Sequence, residues 1–421
     1  MKYLLLVITI GLSILHAKTF TYEQVHQMPK SVEKDYYIWR FLSQASTTAT
    51  QAQNIIRETD HLNKKLRTAY KKKTGFKPPK IGYTKDITPD YIWKNRSKAR
   101  KYFKKGLALI KNNQTNVAAS YFDAARKHYI KRNQVDKALF WLYLSTKNKV
   151  YLQHLQQSPS PNIYTLIAAD TIQGRYPKTI TERFKKTHTK GFDIKNPINW
   201  AFIKAKMNQS TPDEINDLAD NYTSQECLGI YTYLKAKSCN HTKSYFPMPY
   251  RDAMKNMSPQ RQALIYAIAR QESRFVPASV SRSFALGMMQ FMPFLIEDIA
   301  KKKGYNMDLD EMFNPYRAIE FADYHLDFLT KSLHHPLFVA YAYNAGIGFT
   351  RKMLRNPKNF RNGPYEPYMS MEMMKNVEAR EYGKKVLANY VIYLNKLGVS
   401  TRISSLIKTL ATPSKTDKFR K

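Results

Sequence analysis

Apolar positions in the first half of the chain recur at helical rather than strand spacing. Three helix-length segments, "SKARKYFKKGLALIK", "NVAASYFDAARKHYIK" and "VDKALFWLYLSTK", are divided at Asn112-Asn113 and Asn133-Gln134. In the second, Val117, Tyr121, Ala124, Ala125 and Tyr129 fall three or four apart, which predicts one apolar helix face. "DYYIWRFLSQAS" and "QAQNIIRETDHLNKKL" read as earlier helices. In "STPDEINDLADNY", Thr211 is placed as an N-cap, Pro212 at the first helical position and Glu214 three residues after the cap. That is a capping box with a proline at N1. No period-two strand run interrupts this half. The pattern predicts a mainly α protein whose front part is an irregular, solenoid-like helical superhelix.

The apolar rhythm breaks at "YFPMPYRDAM", where Pro247 and Pro249 disfavour helix, so a domain boundary is expected near residue 246. A new helix then opens with Ser258 as cap and Pro259 at N1. On it Leu264 and Ile268 share a face, and the next position on that face is Glu272. Pro277 ends the helix at or before Val276, so Glu272 lies in the last turn. Helix-end carbonyls and an apolar face both favour the protonated carboxyl. A carboxylic acid that keeps its proton near neutral pH suits general acid catalysis. The competing reading is an ion pair with Arg270 or Arg274.

Composition narrows the partners. The 421 residues, too many for one core, hold 69 Lys and Arg against 32 Asp and Glu, a net charge of +37. Such a surplus fits an anionic partner or serves solubility alone. Met1-Lys2, the apolar run Tyr3 to Leu15 and Ala17 read as a secretory signal peptide over residues 1–17, with an uncleaved anchor as the alternative. Export argues against nucleic acid as the partner. Cys227 and Cys239 are open to pairing in an oxidising compartment or to remaining free thiols. "NMDLDE" lacks the glycine and glutamate of a calcium loop, and His334-His335 has no HExxH spacing, so neither metal nor cofactor is expected.

Four short motifs follow one another in the second half: Glu272-Ser273, Gly287-Met288-Met289-Gln290, Ala342-Tyr343-Asn344-Ala345-Gly346 and "VEAREYGKKVLANYVIY". In these, residues 250 to 400 resemble the soluble lytic transglycosylases, and the front half resembles the helical superhelix of their larger members. The resemblance implies a lysozyme-like, α-rich catalytic domain and a division into 1–17, 18–245, 246–400 and a basic, solvated tail over 401–421. It implies cleavage of peptidoglycan glycan strands between N-acetylmuramic acid and N-acetylglucosamine, yielding 1,6-anhydro ends. Glu272 is then the single acid and base, and Ser281 orients the 2-acetamido group. Gln290, Met292, Tyr343, Asn344, Glu378 and Tyr382 line the sugar-binding cleft. A periplasmic location follows, without a membrane span once the leader is cut, and envelope complexes are a further class of partner. Hydrolysis on the same scaffold, or peptidoglycan binding with little activity, are the alternatives. The chain departs from the family pattern at Phe284 and Leu286, where a small residue and a glycine are usual, and at Met288, where leucine is usual.

Overall fold

The structure, a computed structural model, describes residues 18–81 and 90–420. The leader segment read at residues 1–17 lies outside the described residues. Among the described residues there is no extended sheet, only isolated bridges between helices and loops. None of the described helices is long and apolar enough to cross a membrane.

The front half is a winding series of helices, including Val32–Ser43, Lys64–Thr74, Asp90–Lys111, Thr115–His128 and Arg132–Thr146. Its boundaries differ from the sequence reading in three places, each for a local reason. The expected single helix through "QAQNIIRETDHLNKKL" is broken. The Asp35 carboxylate accepts the backbone N–H groups of Asp60 and His61 at 2.7 Å each, and Asn63 caps the next helix through Leu66 N–H. The break expected at Asn133-Gln134 falls at Tyr129–Lys131 instead, and Asn133 lies in the first turn of Arg132–Thr146. On Thr115–His128 the buried stripe is Ala118, Phe122 and Ala125, one position on from the predicted face, and Val117 is exposed. Phe122 sets that register by packing 5.3 Å from Phe103 and 5.5 Å from Trp141, ring centre to ring centre.

Helix caps are where local sequence decides structure, and there the reading holds. Thr211 accepts from Glu214 N–H while Glu214 accepts from Thr211 N–H, with Pro212 at N1 of Pro212–Asp220. Ser258 caps Pro259–Glu272, again with proline at N1.

The Pro-rich segment at 245–251 is non-helical as expected but is not a solvated linker. Phe246, Met248 and Tyr250 are buried, and the Pro247 and Pro249 carbonyls accept hydrogen bonds from Tyr393 and Tyr266. The largest apolar cluster runs without interruption from Phe20 and Tyr36 through the front helices to Leu410. Helix Val377–Lys396 forms its spine in the second half, packed on Pro259–Glu272 and Pro336–Ala345. Gly383 permits the second of these contacts, since a Cβ there would lie 2.1 Å from the Tyr341 ring.

One further expectation is corrected, and one open question is answered. The C-terminal segment is not a solvated tail: Asp417 and Arg420 pair at 2.8 Å with both side chains fully buried, and Arg420 also donates to the Phe360 carbonyl at 2.6 Å. A buried pair persists only when its remaining donors are satisfied, and this one is. Cys227 and Cys239 are free thiols. They cap opposite ends of the 11-residue helix Leu228–Ser238, so roughly 16 Å of helix separates them, well beyond disulfide reach.

Candidate active site

Glu272 is the last residue of its helix, and Leu264 and Ile268 below it are buried. Its carboxyl opens on a cleft of about 1000 Å³. Neither neighbouring arginine reaches it. Arg270 donates to Tyr245 O and Asn389 Oδ1, and Arg274 lies beside His241. The partner of Glu272 is Tyr382, whose hydroxyl donates to Oε1 at 2.7 Å. Burial pushes the Glu272 pKa up to about 7, with the Glu378 charge adding to it and the Tyr382 hydrogen bond opposing it. Near neutrality a large fraction of the carboxyl therefore holds its proton.

Ser281 is carried by a tight loop over residues 280–291, held by bridges Val280–Leu286 and Leu286–Phe291. The Ser281 Oγ accepts Ala285 N–H at 2.9 Å, which leaves its own proton free to donate into the cleft. Gly287 closes the loop at φ +76°, and a Cβ there would lie 2.1 Å from the Met312 carbonyl oxygen. Gln290 spends both amide protons on the loop, donating to Ser279 O and Gly287 O, so only its carbonyl oxygen is left for a ligand. Ser273 is structural, buried and donating to Met288 O at 2.8 Å. Met288 and Met289 are buried in the core, whereas Met292 lines the cleft.

Phe284 does not narrow the cleft. At φ +62° it turns out of the loop into the front half, fully buried, stacking on Trp39 at 5.6 Å and meeting Tyr36 edge-on at 5.9 Å. Asn63 fixes the same loop by donating to Arg282 O at 2.8 Å. The acidic stretch around Asp308 serves the same seam: Arg40 pairs with Asp308 at 2.6 Å and with Asp310 at 3.0 Å.

The opposite wall is formed by Tyr343 and Asn344 at the end of Pro336–Ala345 and by Glu378 and Tyr382, one turn apart on Val377–Lys396. Tyr343 donates to Met289 O at 3.0 Å, tying this wall to the Gly-Met-Met-Gln loop. Asn344 makes only a long 3.4 Å contact with Glu378. Among the described residues, Glu272 and Glu378 are the only two carboxylates lining the cleft. All eight residues singled out in the sequence thus lie in or directly behind one cleft.

Among the cleft residues that the sequence reading did not single out are Phe294, Phe328 and His325. Phe294 and Phe328, 65% and 48% exposed, present flat apolar faces where a sugar ring can stack. His325 stands behind them, 5.5 Å from the Tyr343 ring, and burial pushes its pKa down to about 4, so its imidazole is neutral. "FMPF" contained one signal: an aromatic just inside a proline-started helix, where burial is not required.

Residues 250–364 match the family model described as the transglycosylase SLT domain. The soluble lytic murein transglycosylase of Escherichia coli strain K12 is 29% identical over 178 residues, 41% of this chain and 27% of that protein. Membrane-bound lytic murein transglycosylase C of Histophilus somni strain 2336 is 29% identical over 143 residues, 30% of this chain and 39% of that protein. The matches thus span well under half of the curated relatives' length. The 70 kDa soluble lytic transglycosylase of E. coli shares the fold over 92% of this chain and 63% of its own, with a TM-score of 0.50 and 17% identity. An inactive mutant of lytic transglycosylase Slt from Pseudomonas aeruginosa does so over 91% and 67%, with a TM-score of 0.50 and 16% identity. Over residues 250–364 the chain is thus similar to the SLT transglycosylases.

Proposed function

We propose that the protein is a peptidoglycan lytic transglycosylase with Glu272 as its acid and base, acting in the periplasm. The observation that carries this reading is a half-buried carboxyl with a pKa near 7, open to a long cleft, with no ion-pair partner and one hydrogen-bond donor among the described residues. Glu272 protonates the glycosidic oxygen as the bond to C1 of N-acetylmuramic acid breaks. The same sugar's C6 hydroxyl then bonds to C1 and returns its proton to Glu272. Atoms balance without water, and the product ends in a 1,6-anhydro ring. Ser281, with its proton free, holds the 2-acetamido oxygen, while the Gln290 carbonyl accepts from a sugar and Asn344 donates to one. Phe294 and Phe328 stack on sugar rings at the rim. The division at residue 246 is, on this reading, a division of labour: the front superhelix braces and the second half cuts.

Glu378 favours a second reading, in which it activates water and the enzyme hydrolyses the same bond with two carboxylates. Mass spectrometry of muropeptides released from purified sacculi separates the two. Products lighter by one water, abolished by Glu272→Gln, support transglycosylation. Reducing ends, lost in Glu378→Gln, support hydrolysis. Sacculi bound but uncut by the wild type would sink both.

A further inference from the structure

Against the helix that carries Glu272 lies a second cavity, of about 430 Å³, that shares no lining residue with the cleft. Four separate stretches of chain bring cations to it: Lys131 from the front half, Lys243 from the loop after Leu228–Ser238, Arg270 and Arg274 beside Glu272, and Lys385 from Val377–Lys396. Among the described residues, no aspartate or glutamate lines it, and none of these five side chains forms an ion pair. Glu381, one turn before Lys385 on the same helix, is engaged at 3.1 Å by both Arg380 and Lys384, and the Glu272 carboxyl opens on the cleft instead.

An excess of lysine over the whole surface does not account for this arrangement. Scattered surface cations repel little because water screens them. Here they converge on one concavity, whose floor is the half-buried guanidinium of Arg270, held in place by Tyr245 O, Asn389 and the Phe246 ring 3.8 Å away. Arg270 offers five donors and spends two on these neutral acceptors. Arg274 is aimed by a backbone in the left-handed region at φ +57°, stacks over Tyr233 at 5.5 Å and has its guanidinium 3.2 Å from His241. Burial pushes the Lys385 amine down; Glu381 opposes this, and Lys131 and Arg274 reinforce it. Like charges held together at this cost, with planar forks exposed, match the geometry that carboxylates and phosphates accept in pairs.

We propose that this basin binds a multiply charged organic or inorganic oxyanion, at a site separate from the cleft. Its volume admits a short peptide as well as a diphosphate, so the shared chemistry is two or more carboxylate or phosphate groups on one small molecule. Two sources supply it: the carboxylate-bearing stem peptides of the cell wall, and free phosphorylated anions. The proposal does not depend on the reaction assigned to Glu272.

Calorimetric titration of the full chain at low salt tests it, with a sugar-free stem tetrapeptide and inorganic pyrophosphate as separate probes. Saturable one-to-one binding of at least one probe is expected. Lys131→Gln combined with Lys385→Gln, both at exposed positions, should weaken it at least about tenfold, as should Arg274→Gln alone. Glu272→Gln and Phe294→Ala should leave it unchanged. Tighter tetrapeptide binding assigns the site to the cell wall, and tighter pyrophosphate binding assigns it to a free anion. Absence of saturable binding by both probes overturns the proposal. So does binding that survives the basin variants but is lost in Phe294→Ala, because the ligand then occupies the cleft.

Discussion

The Tyr382 hydroxyl donates to Glu272 Oε1 at 2.7 Å, and among the described residues it is the one hydrogen bond holding that carboxyl. This bond favours the ionised form, while burial and the Glu378 charge favour the protonated one. The balance leaves the group titrating near neutrality, where an acid that must also act as a base works best.

A pH–rate profile of sacculus digestion should therefore fall on its alkaline side near pH 7, as Glu272 loses its proton. Tyr382→Phe removes the influence that lowers the pKa. The alkaline limb should move upward by roughly half a unit to one unit. A limb that stays in place would assign the titration to another group.

The same shift has a cost in stability. The folded state holds the Glu272 proton up to about pH 7, whereas the unfolded chain releases it near the usual carboxylate value of 4.5. Stability from this group is full below 4.5 and is lost as pH rises through 7. Glu272→Gln does not titrate. It should melt higher than the wild type at pH 8, by the equivalent of about 1–3 kcal/mol, with the difference vanishing near pH 4. Thermal denaturation at both pH values measures it, and the active-site variant should be dead yet more stable.

Much of this was legible in local sequence, because caps, prolines and one misplaced carboxylate act over a few residues. Thr211, Ser258 and the Leu264–Ile268–Glu272 stripe are of that kind. Phe284 was not legible. Its direction depends on Trp39 and Tyr36, hundreds of residues earlier, and sequence spacing has no access to that. The Asp417–Arg420 pair was hidden for a similar reason: charged residues near a chain end look solvated until a partner such as Phe360 O is known. Tyr382 was placed in the cleft by its motif, but its role as the partner of Glu272 emerged only from the packing of two helices.

Trp39→Ala should lower activity without touching the cleft. Removing the ring leaves Phe284 unsupported and frees the loop bearing Ser281. A stability loss of about 2–4 kcal/mol is expected, with a fall in turnover measurable at temperatures where the variant stays folded. Trp39→Phe should recover most of both. If Trp39→Ala digests sacculi at the wild-type rate, the seam is structural only.

Gly287→Ala should be harsher than its single methyl suggests. The residue sits at φ +76°, and the new Cβ meets backbone at the Met312 carbonyl, which cannot swing aside as a side chain can. A cost of at least about 2 kcal/mol follows, along with displaced Ser281 and Gln290. Gly304→Ala also has a positive φ but has open space around its Cβ, so it separates backbone strain from the clash. The two should differ clearly in melting temperature and in muropeptide yield.

The seam around Phe284 also sets a timetable. Tyr36 bonds Asp310 across 274 residues of sequence and Asn63 bonds Arg282 across 219. Contacts this distant close slowly, because loop entropy is lost before they form. Until residues 282–313 exist, Tyr36 and Trp39 lack the Phe284 and Phe313 rings that they pack against. Tyr36, Tyr37 and Trp39 are then a sticky surface on an unfinished chain, the kind of surface that chaperones bind. Contact order thus predicts that the contacts bracing the cleft form late, and that the N-terminal aromatics are the surface at risk until they do.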